Sequence, residues 1–248
     1  MSIPHRDEAT DAKALQPCRA HWLGVVPYAQ GLEIQAGLVR QRAAGEVPDQ
    51  LLLLEHPHVL TLGRDSKAGH VLADAAHLRA LGVELFDTGR GGDVTYHGPG
   101  QLVAYPILNL APDRCDLHRY VRDLERVLLA TIAEFGIVGH TVPGRTGVWV
   151  ERAGLPAAKI AAIGVRVARW ISSHGIALNV HTDLSYFGLI VPCGLQDSAV
   201  TSIGEQSLAP VSMAAVAEHF ARHFGAVFER HIIGDVGAAV PTNSEAAP

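Results

Sequence analysis

Arg90-Gly91-Gly92-Asp93-Val94-Thr95-Tyr96-His97-Gly98-Pro99-Gly100-Gln101-Leu102-Val103-Ala104-Tyr105 runs from a glycine-rich turn into an apolar strand. Gly91 and Gly92 free the backbone for dihedrals closed to other residues. Gly98, Pro99 and Gly100 make a second turn. Between the turns Arg90, Asp93, Thr95, Tyr96 and His97 can all hydrogen-bond. A Gly-Gly pair alone would suggest no more than a surface turn. A loop this crowded with polar side chains, feeding a strand, is how folds present a binding site.

The neighbouring segments read outward from this loop. Val83 to Phe86 is a strand leading in, and Gln101 to Leu110 a strand leading out. Pro106 argues for an edge, or for a bulge near that strand's end. Leu51 to Leu54 is a buried strand broken at His56-Pro57-His58, with Val59 to Leu62 as its hairpin partner. Asp74 caps a short helix from Ala75 to Leu81, closed by Gly82. Tyr28 to Ala44 reads as a helix through Leu32, Gln35, Leu38, Val39 and Arg42, weakened by Gly31 and Gly37. The clearest helix is Asp116 to Phe135. Leu117, Tyr120, Val121, Leu124, Val127, Leu128, Ile132 and Phe135 recur at three- and four-residue steps. Arg119, Arg122, Asp123, Glu125 and Arg126 take its solvated face. Thr141 to Val180 is a glycine-punctuated strand meander, and Ser212 caps a last helix through Met213, Val216, Phe220 and Phe224. Strands outnumber helices and hairpins recur, so the expected fold is one mixed α/β (α+β) domain and not a doubly wound parallel sheet. We expect that domain over 20–232, with polar arms at 1–19 and 233–248.

Composition narrows the function. The chain has 248 residues, enough for a full core. A hydrophobic fraction of 48% with 18% charged residues describes a soluble globular protein. The net charge of −5 disfavours nucleic-acid binding. Cys18, Cys115 and Cys193 are odd in number and widely spaced, against a disulfide framework or structural zinc. A reducing, cytoplasmic compartment is expected. The start of the chain lacks the apolar core of a signal peptide, and no apolar run approaches a membrane span.

Two residues stand out chemically. Cys193 lies between Pro192 and Gly194, on a turn where a thiol can be reached, whereas Cys115 sits at a helix start and Cys18 in the loose arm. Lys159 is the only charge in Pro156-Ala157-Ala158-Lys159-Ile160-Ala161-Ala162-Ile163-Gly164. Such a lysine either snorkels to solvent or is held partly desolvated for a task, since desolvation favours the neutral amine. A lysine ammonium beside a cysteine favours the thiolate. His56 and His58 flank a proline turn with no cysteine or carboxylate cluster, so no metal is expected there.

The sequence resembles the lipoyl(octanoyl) transferase family. Arg-Gly-Gly, two residues, Thr-Tyr-His, Gly-Pro-Gly-Gln, then Val-x-Tyr-Pro match the family signature without a break over residues 90–106. Gly-x-x-Ala-Lys-Ile-Ala around Lys159, Pro-Cys-Gly around Cys193 and His174-Gly175-Ile176-Ala177-Leu178-Asn179 match further segments, and the likeness covers Trp22 to His231. It implies the biotin/lipoate protein ligase catalytic fold, a mixed sheet flanked by helices. It implies Cys193 as nucleophile and Lys159 as the group that lowers its pKa and then acts as general base. It implies an acyl slot lined by Arg90, Gly91, Gly92, Asp93, Val94, Thr95, Tyr96 and His97, by Ala162, Ile163 and Gly164, and by Gly175, Ile176 and Ala177. The Glu55-His56-Pro57 turn is expected to help shape it.

The activity implied is octanoyl transfer from acyl carrier protein to the lysine of lipoyl domains (2-oxoacid dehydrogenases, glycine cleavage H protein), through an acyl-thioester and without ATP, cofactor or metal. The absence of a Walker-type loop agrees. An ATP-dependent lipoate or biotin ligase on the same fold and a non-catalytic lipoyl-protein-binding module are the rival readings. A monomer is expected. Arg40, Arg42, Arg64 and Arg145 are candidates for a basic docking patch.

Overall fold

The computed structural model describes residues 15–67, 69–191, 199–234 and 236. In chain order the elements are strand β1 (Gln16–Val25), helix α1 (Tyr28–Ala43), β2 (Asp49–Glu55), β3 (Val59–Leu62), α2 (Ala75–Ala80), β4 (Glu84–Asp87), β5 (Thr95–His97), β6 (Gln101–Ile107), α3 (Leu117–Ala133), β7 (Gly139–Val142), β8 (Arg145–Arg152), β9 (Leu155–Ala168), β10 (Ile171–Asn179), a 3₁₀ turn (Leu184–Leu189), β11 (Ala199–Val200), α4 (Ile203–Gln206), α5 (Met213–Phe228) and β12 (Arg230–Ile233). One mixed sheet has the order β12-β1-β2-β6-β10-β9-β8-β7, with β11 added beside β9; a small sheet has the order β4-β3-β5. The expected mixed α/β domain is what forms.

Burial on both faces explains the apolar runs of β2 and β6. On one face Leu51, Leu53, Leu102 and Ala104 join a core with Leu124, Val127 and Leu128 of α3 and Phe220, Phe224 and Phe228 of α5. On the other, Leu52, Leu54, Val103, Tyr105 and Ile107 pack with Ile34, Leu38 and Val39 of α1. A strand covered by helices on both sides loses its polar alternation. The helix starts follow their caps: Asp74 accepts from His77 N, Asp116 from Arg119 N and Ser212 from Ala215 N.

Several expectations need correction. Residues 16–19 are not part of a loose arm. They pair in parallel with β12 and β2, and Cys18 is fully buried. Burial pushes its thiol up to about 12. β12 runs to Ile233, one residue past the expected end of the domain. β3 is not the hairpin partner of β2. It crosses to the small sheet, parallel to β4 and antiparallel to β5.

Pro106 is not on an edge strand. β6 lies between β2 and β10, and the proline is accommodated because β10 pairs with β6 only from Ala104 back to Gln101. Beyond that point the Ser172 hydroxyl bridges, donating to Pro106 O and accepting from Leu108 N. Asp123, expected on the solvated face of α3, is buried against the buried Arg114 guanidinium, which also reaches Val227 O. A buried charge must be paired, and the partner comes from the loop before the helix.

Candidate active site

A cavity of about 850 Å³ opens between the two sheets. Its first wall is the β9–β10 hairpin, contributing Lys159, Ala162, Ile163, Gly164 and Val165 from one strand and His174, Gly175, Ile176 and Ala177 from the other. The two are in register, Ala177 opposite Ala162 and Gly175 opposite Gly164. Small side chains here leave a narrow slot. Gly175 is also demanded by packing, since a Cβ there would lie 2.0 Å from Ala104 O.

The second wall is the loop that precedes β5, with Arg90, Gly91, Gly92, Asp93, Val94 and Thr95 lining the cavity and His97 following from β5. Three anchors hold it. Gly91 N donates to Val165 O at 2.9 Å, tying loop to hairpin; Arg64 N donates to Arg90 O and Asp65 N to Gly92 O. That last approach needs glycine at position 63, where a Cβ would sit 2.1 Å from Gly92 O. The Arg90 guanidinium, buried, donates to the backbone and hydroxyl of Thr61 and to Gly91 O.

Exposure grades the cavity from mouth to floor. Arg64, Asp65, Lys67, Leu117, Gly144 and Arg145 at the rim are exposed, whereas Tyr28, Arg90, His97, Tyr105 and His174 are buried. The floor turns its hydrogen bonds outward. His56 Nδ1 donates to Val26 O (2.6 Å), so its Nε2 accepts from the Tyr105 hydroxyl (2.7 Å). Gln101 Nε2 donates to Tyr96 O and Asn179 Oδ1, leaving its Oε1 to accept from His97 Nδ1 at 2.8 Å. Desolvation lowers the pKa of His56 to about 4 and, helped by His56 and Arg90, that of His97 to about 3. His174 is lowered to about 4 by desolvation and then by Arg90 and Arg166. His97 and His174 on the floor, and His56 behind it, are neutral near pH 7.

Lys159 enters from β9 and is 9% exposed. Its Nζ donates to Thr146 O at 3.2 Å and lies 4.8 Å from the Trp149 ring centroid, as a cation–π pair. Cys193 lies outside the described residues, but both flanks of its segment are placed. Val191 N donates to His70 O at 2.8 Å, and Ala199 and Val200 pair with Ala158 and Lys159. His70 and Lys159 both line the cavity, and His70 Nδ1 donates to Asp93 Oδ2 at 2.6 Å. The chain thus leaves one wall beside His70, two residues before Cys193, and returns beside Lys159.

With this geometry in place, comparison with known proteins is informative. The lipoyl protein ligase A/B catalytic domain model matches residues 27–225. The octanoyltransferase of Solibacter usitatus is 50% identical over 216 residues, 87% of this chain and 94% of its own length. That of Rubrobacter xylanophilus is 44% identical over 240 residues, covering 96% of this chain and 100% of its own. The chain belongs to the octanoyltransferases. Among solved structures, a bi-partite lipoate protein ligase from Thermoplasma acidophilum superposes with a TM-score of 0.69 at 16% identity, over 90% of this chain and 89% of that one. A lipoate-protein ligase A bound with ATP gives 0.66 at 16%, over 89% and 91%. These likenesses show the shared ligase fold.

Within this octanoyltransferase the slot residues expected from sequence converge on one cavity, except Tyr96. Its ring turns away, stacking on Tyr186 and bonding His58 Nδ1 through its hydroxyl. Glu55 and His56 do not line the cavity. Glu55 accepts from Gly100 N, and His56 fixes Tyr105. Arg42, on α1, is held by Asp49 of β2, and Arg40 lines no part of the cavity, whereas Arg64 and Arg145 stand at its mouth. Sequence reading missed Tyr28, His70, Trp149 and the His174 side chain. Tyr28 and Trp149 look like ordinary core residues in their own elements, and His70 sits in an unpatterned loop. Among the described residues no group of three or more His, Cys, Asp or Glu side chains is placed to hold a metal ion, and no helix is long and apolar enough to cross a membrane.

Proposed function

We propose that this octanoyltransferase takes octanoyl from the thioester of acyl carrier protein and delivers it to the lysine of a lipoyl domain, through Cys193 and without ATP. The Cys193 thiolate attacks the thioester carbonyl, the pantetheine thiolate leaves, and an enzyme thioester forms. The acceptor amine then attacks that carbonyl. Cys193 leaves as thiolate, the attacking nitrogen gives up one proton, and the product is a secondary amide. Lys159, as ammonium, holds Cys193 as thiolate in the first half and gives its proton to the departing pantetheine thiolate; the neutral amine so formed takes one proton of the incoming amine in the second half. Because a thioester is already activated, no adenylate is needed.

The observation that carries the reading is the position of Lys159. It is buried in the cavity that the signature loop closes, on the strand beside which the Cys193 segment returns. The lipoyl-domain acceptor is supported by family membership and by the Thermoplasma ligase of the same fold, which was described with its E2 lipoyl domain.

Intact-mass analysis after mixing with octanoyl carrier protein tests the mechanism. The full chain should gain one octanoyl adduct without ATP, and Cys193→Ala should gain none. An adduct on that variant would reassign the nucleophile. Pyrophosphate release on adding ATP and lipoate would place the chain with the ligases.

A further inference from the structure

The slot has a deep end, and one residue there differs from the rest. Tyr28, His97 and Tyr105 belong to a packed aromatic group. Tyr28 lies 5.0 Å from His56 and 6.1 Å from His97, and His56 lies 5.9 Å from Tyr105. Their polar atoms point into the fold. His174 makes only an edge contact with Tyr105, at 6.5 Å, and its ring forms no hydrogen bond among the described residues. Its backbone is left-handed, with φ 55°, and its N–H is taken by Gln35 Oε1 at 2.8 Å. A histidine in that region is strained relative to glycine. This strain aims a side chain into the end of a cavity.

Dimensions agree. From Lys159 to Gly164, the residue level with Gly175 and next to His174, β9 advances about 16 Å at roughly 3.3 Å per residue. An extended octanoyl chain is about 9 Å from carbonyl to methyl, seven C–C bonds of about 1.5 Å that each advance the zigzag by about 1.3 Å. The lysine side chain and the thioester occupy the balance. The methyl end therefore reaches the level of Gly164 and Gly175, where the signature loop clasps Val165 and His174 closes the way.

We propose that the His174 imidazole is the stop that sets the acyl length this enzyme accepts, a specificity-determining role that rests on the octanoyl-transfer reading above. Shortening it should shift the preference of the slot toward longer chains.

Two substitutions suit the left-handed backbone, His174→Gly and His174→Asn, and both remove ring volume. The full chain is given octanoyl, decanoyl and dodecanoyl carrier proteins in competition, with acylated lipoyl domain read by mass. One methylene in an apolar pocket is discriminated by about 10- to 200-fold. H174G should therefore raise the decanoyl-to-octanoyl ratio of kcat/KM at least about 10-fold, with H174N intermediate. A ratio within about twofold of wild type, in a variant that melts like wild type, would overturn the proposal. Calorimetric binding of octanoic and decanoic acids reads the slot without turnover. If wild type transfers nothing yet H174G shifts binding toward decanoic acid, the reaction reading fails and the stop stands. If neither binding nor transfer shifts, the stop fails.

Discussion

The mouth and the floor of the cavity are built on opposite principles. At the mouth, Arg64, Asp65, Lys67 and Arg145 are exposed, on loops or at a strand end, and hold charges in water. At the floor, Tyr28, His97, Tyr105 and His174 are buried, three with hydrogen bonds directed away from the slot. A charged rim can attract a partner without fixing geometry, while a desolvated floor fixes shape and admits a charge only where it is paired, as the Arg90 guanidinium is by Thr61 and Gly91 O. Lys159 stands between the two regimes, one charge carried into the dry part and held by Thr146 O and the Trp149 face.

The largest expected effect lies at that boundary. Lys159→Met keeps most of the length of the side chain and removes its ammonium. Single-turnover transfer from the octanoyl carrier protein should slow by about 10²- to 10⁴-fold, the usual reach of a positioned acid–base group. The melting temperature should change little, because a thioether packs well in the same slot. A variant that transfers at the wild-type rate would mean that Lys159 belongs to the architecture alone.

How much of this was readable beforehand depends on what each segment's pattern encodes. The period of α3 is written in its own leucines, so its course was legible. The Asp123 exception was not, because its partner Arg114 lies outside the helical repeat. β2 and β3 were both recognisable as strands. Nothing in Val59 to Leu62 says that it leaves the main sheet, since partner choice is set by long-range pairing and not by local period. The signature loop was legible because glycines and polar side chains are unusually dense there. In the sequence His174 stands out only as the first residue of its His-Gly-Ile-Ala motif. The obstacle role proposed for it depends on a left-handed φ and on its place opposite Val165, beside the Gly164–Gly175 pair, both invisible in one dimension. Cys193 rests on its motif and on the flanks that the structure describes.

The middle effect tests the floor, and His56 packed behind it, through pH. His56, His97 and His174 have folded pKa values lowered to about 4, 3 and 4 from an ordinary 6.5. Below pH 6.5 the unfolded chain binds protons that the folded chain refuses. Their contribution to stability is therefore complete above pH 6.5 and is lost as pH falls toward about 4. Each histidine gives at most about 1.4 kcal/mol per pH unit. Urea unfolding between pH 5 and 6.5, where carboxylates stay ionised, should show a free energy that rises with pH by up to about 4 kcal/mol per unit, three times the single-site slope. A flat profile would show that the floor is wet enough to accept charge, and the contrast with the mouth would disappear.

The smallest effect belongs to the mouth. Arg64→Glu and Arg145→Glu reverse charges that lie on the rim and touch neither Lys159 nor the floor histidines through any described hydrogen bond. Exposed pairs contribute about 0.2–1 kcal/mol, so each reversal should raise KM for the carrier-protein substrate by only a few fold. The increase should shrink as salt is added, because rim charges are screened. Octanoyl transfer from a short pantetheine thioester, which has no protein surface to dock, should be unaffected, and kcat should hold for both donors. If kcat falls instead, the rim arginines reach into the slot and help to place the reacting carbonyl, and the division between a steering mouth and a shaping floor would have to be moved inward.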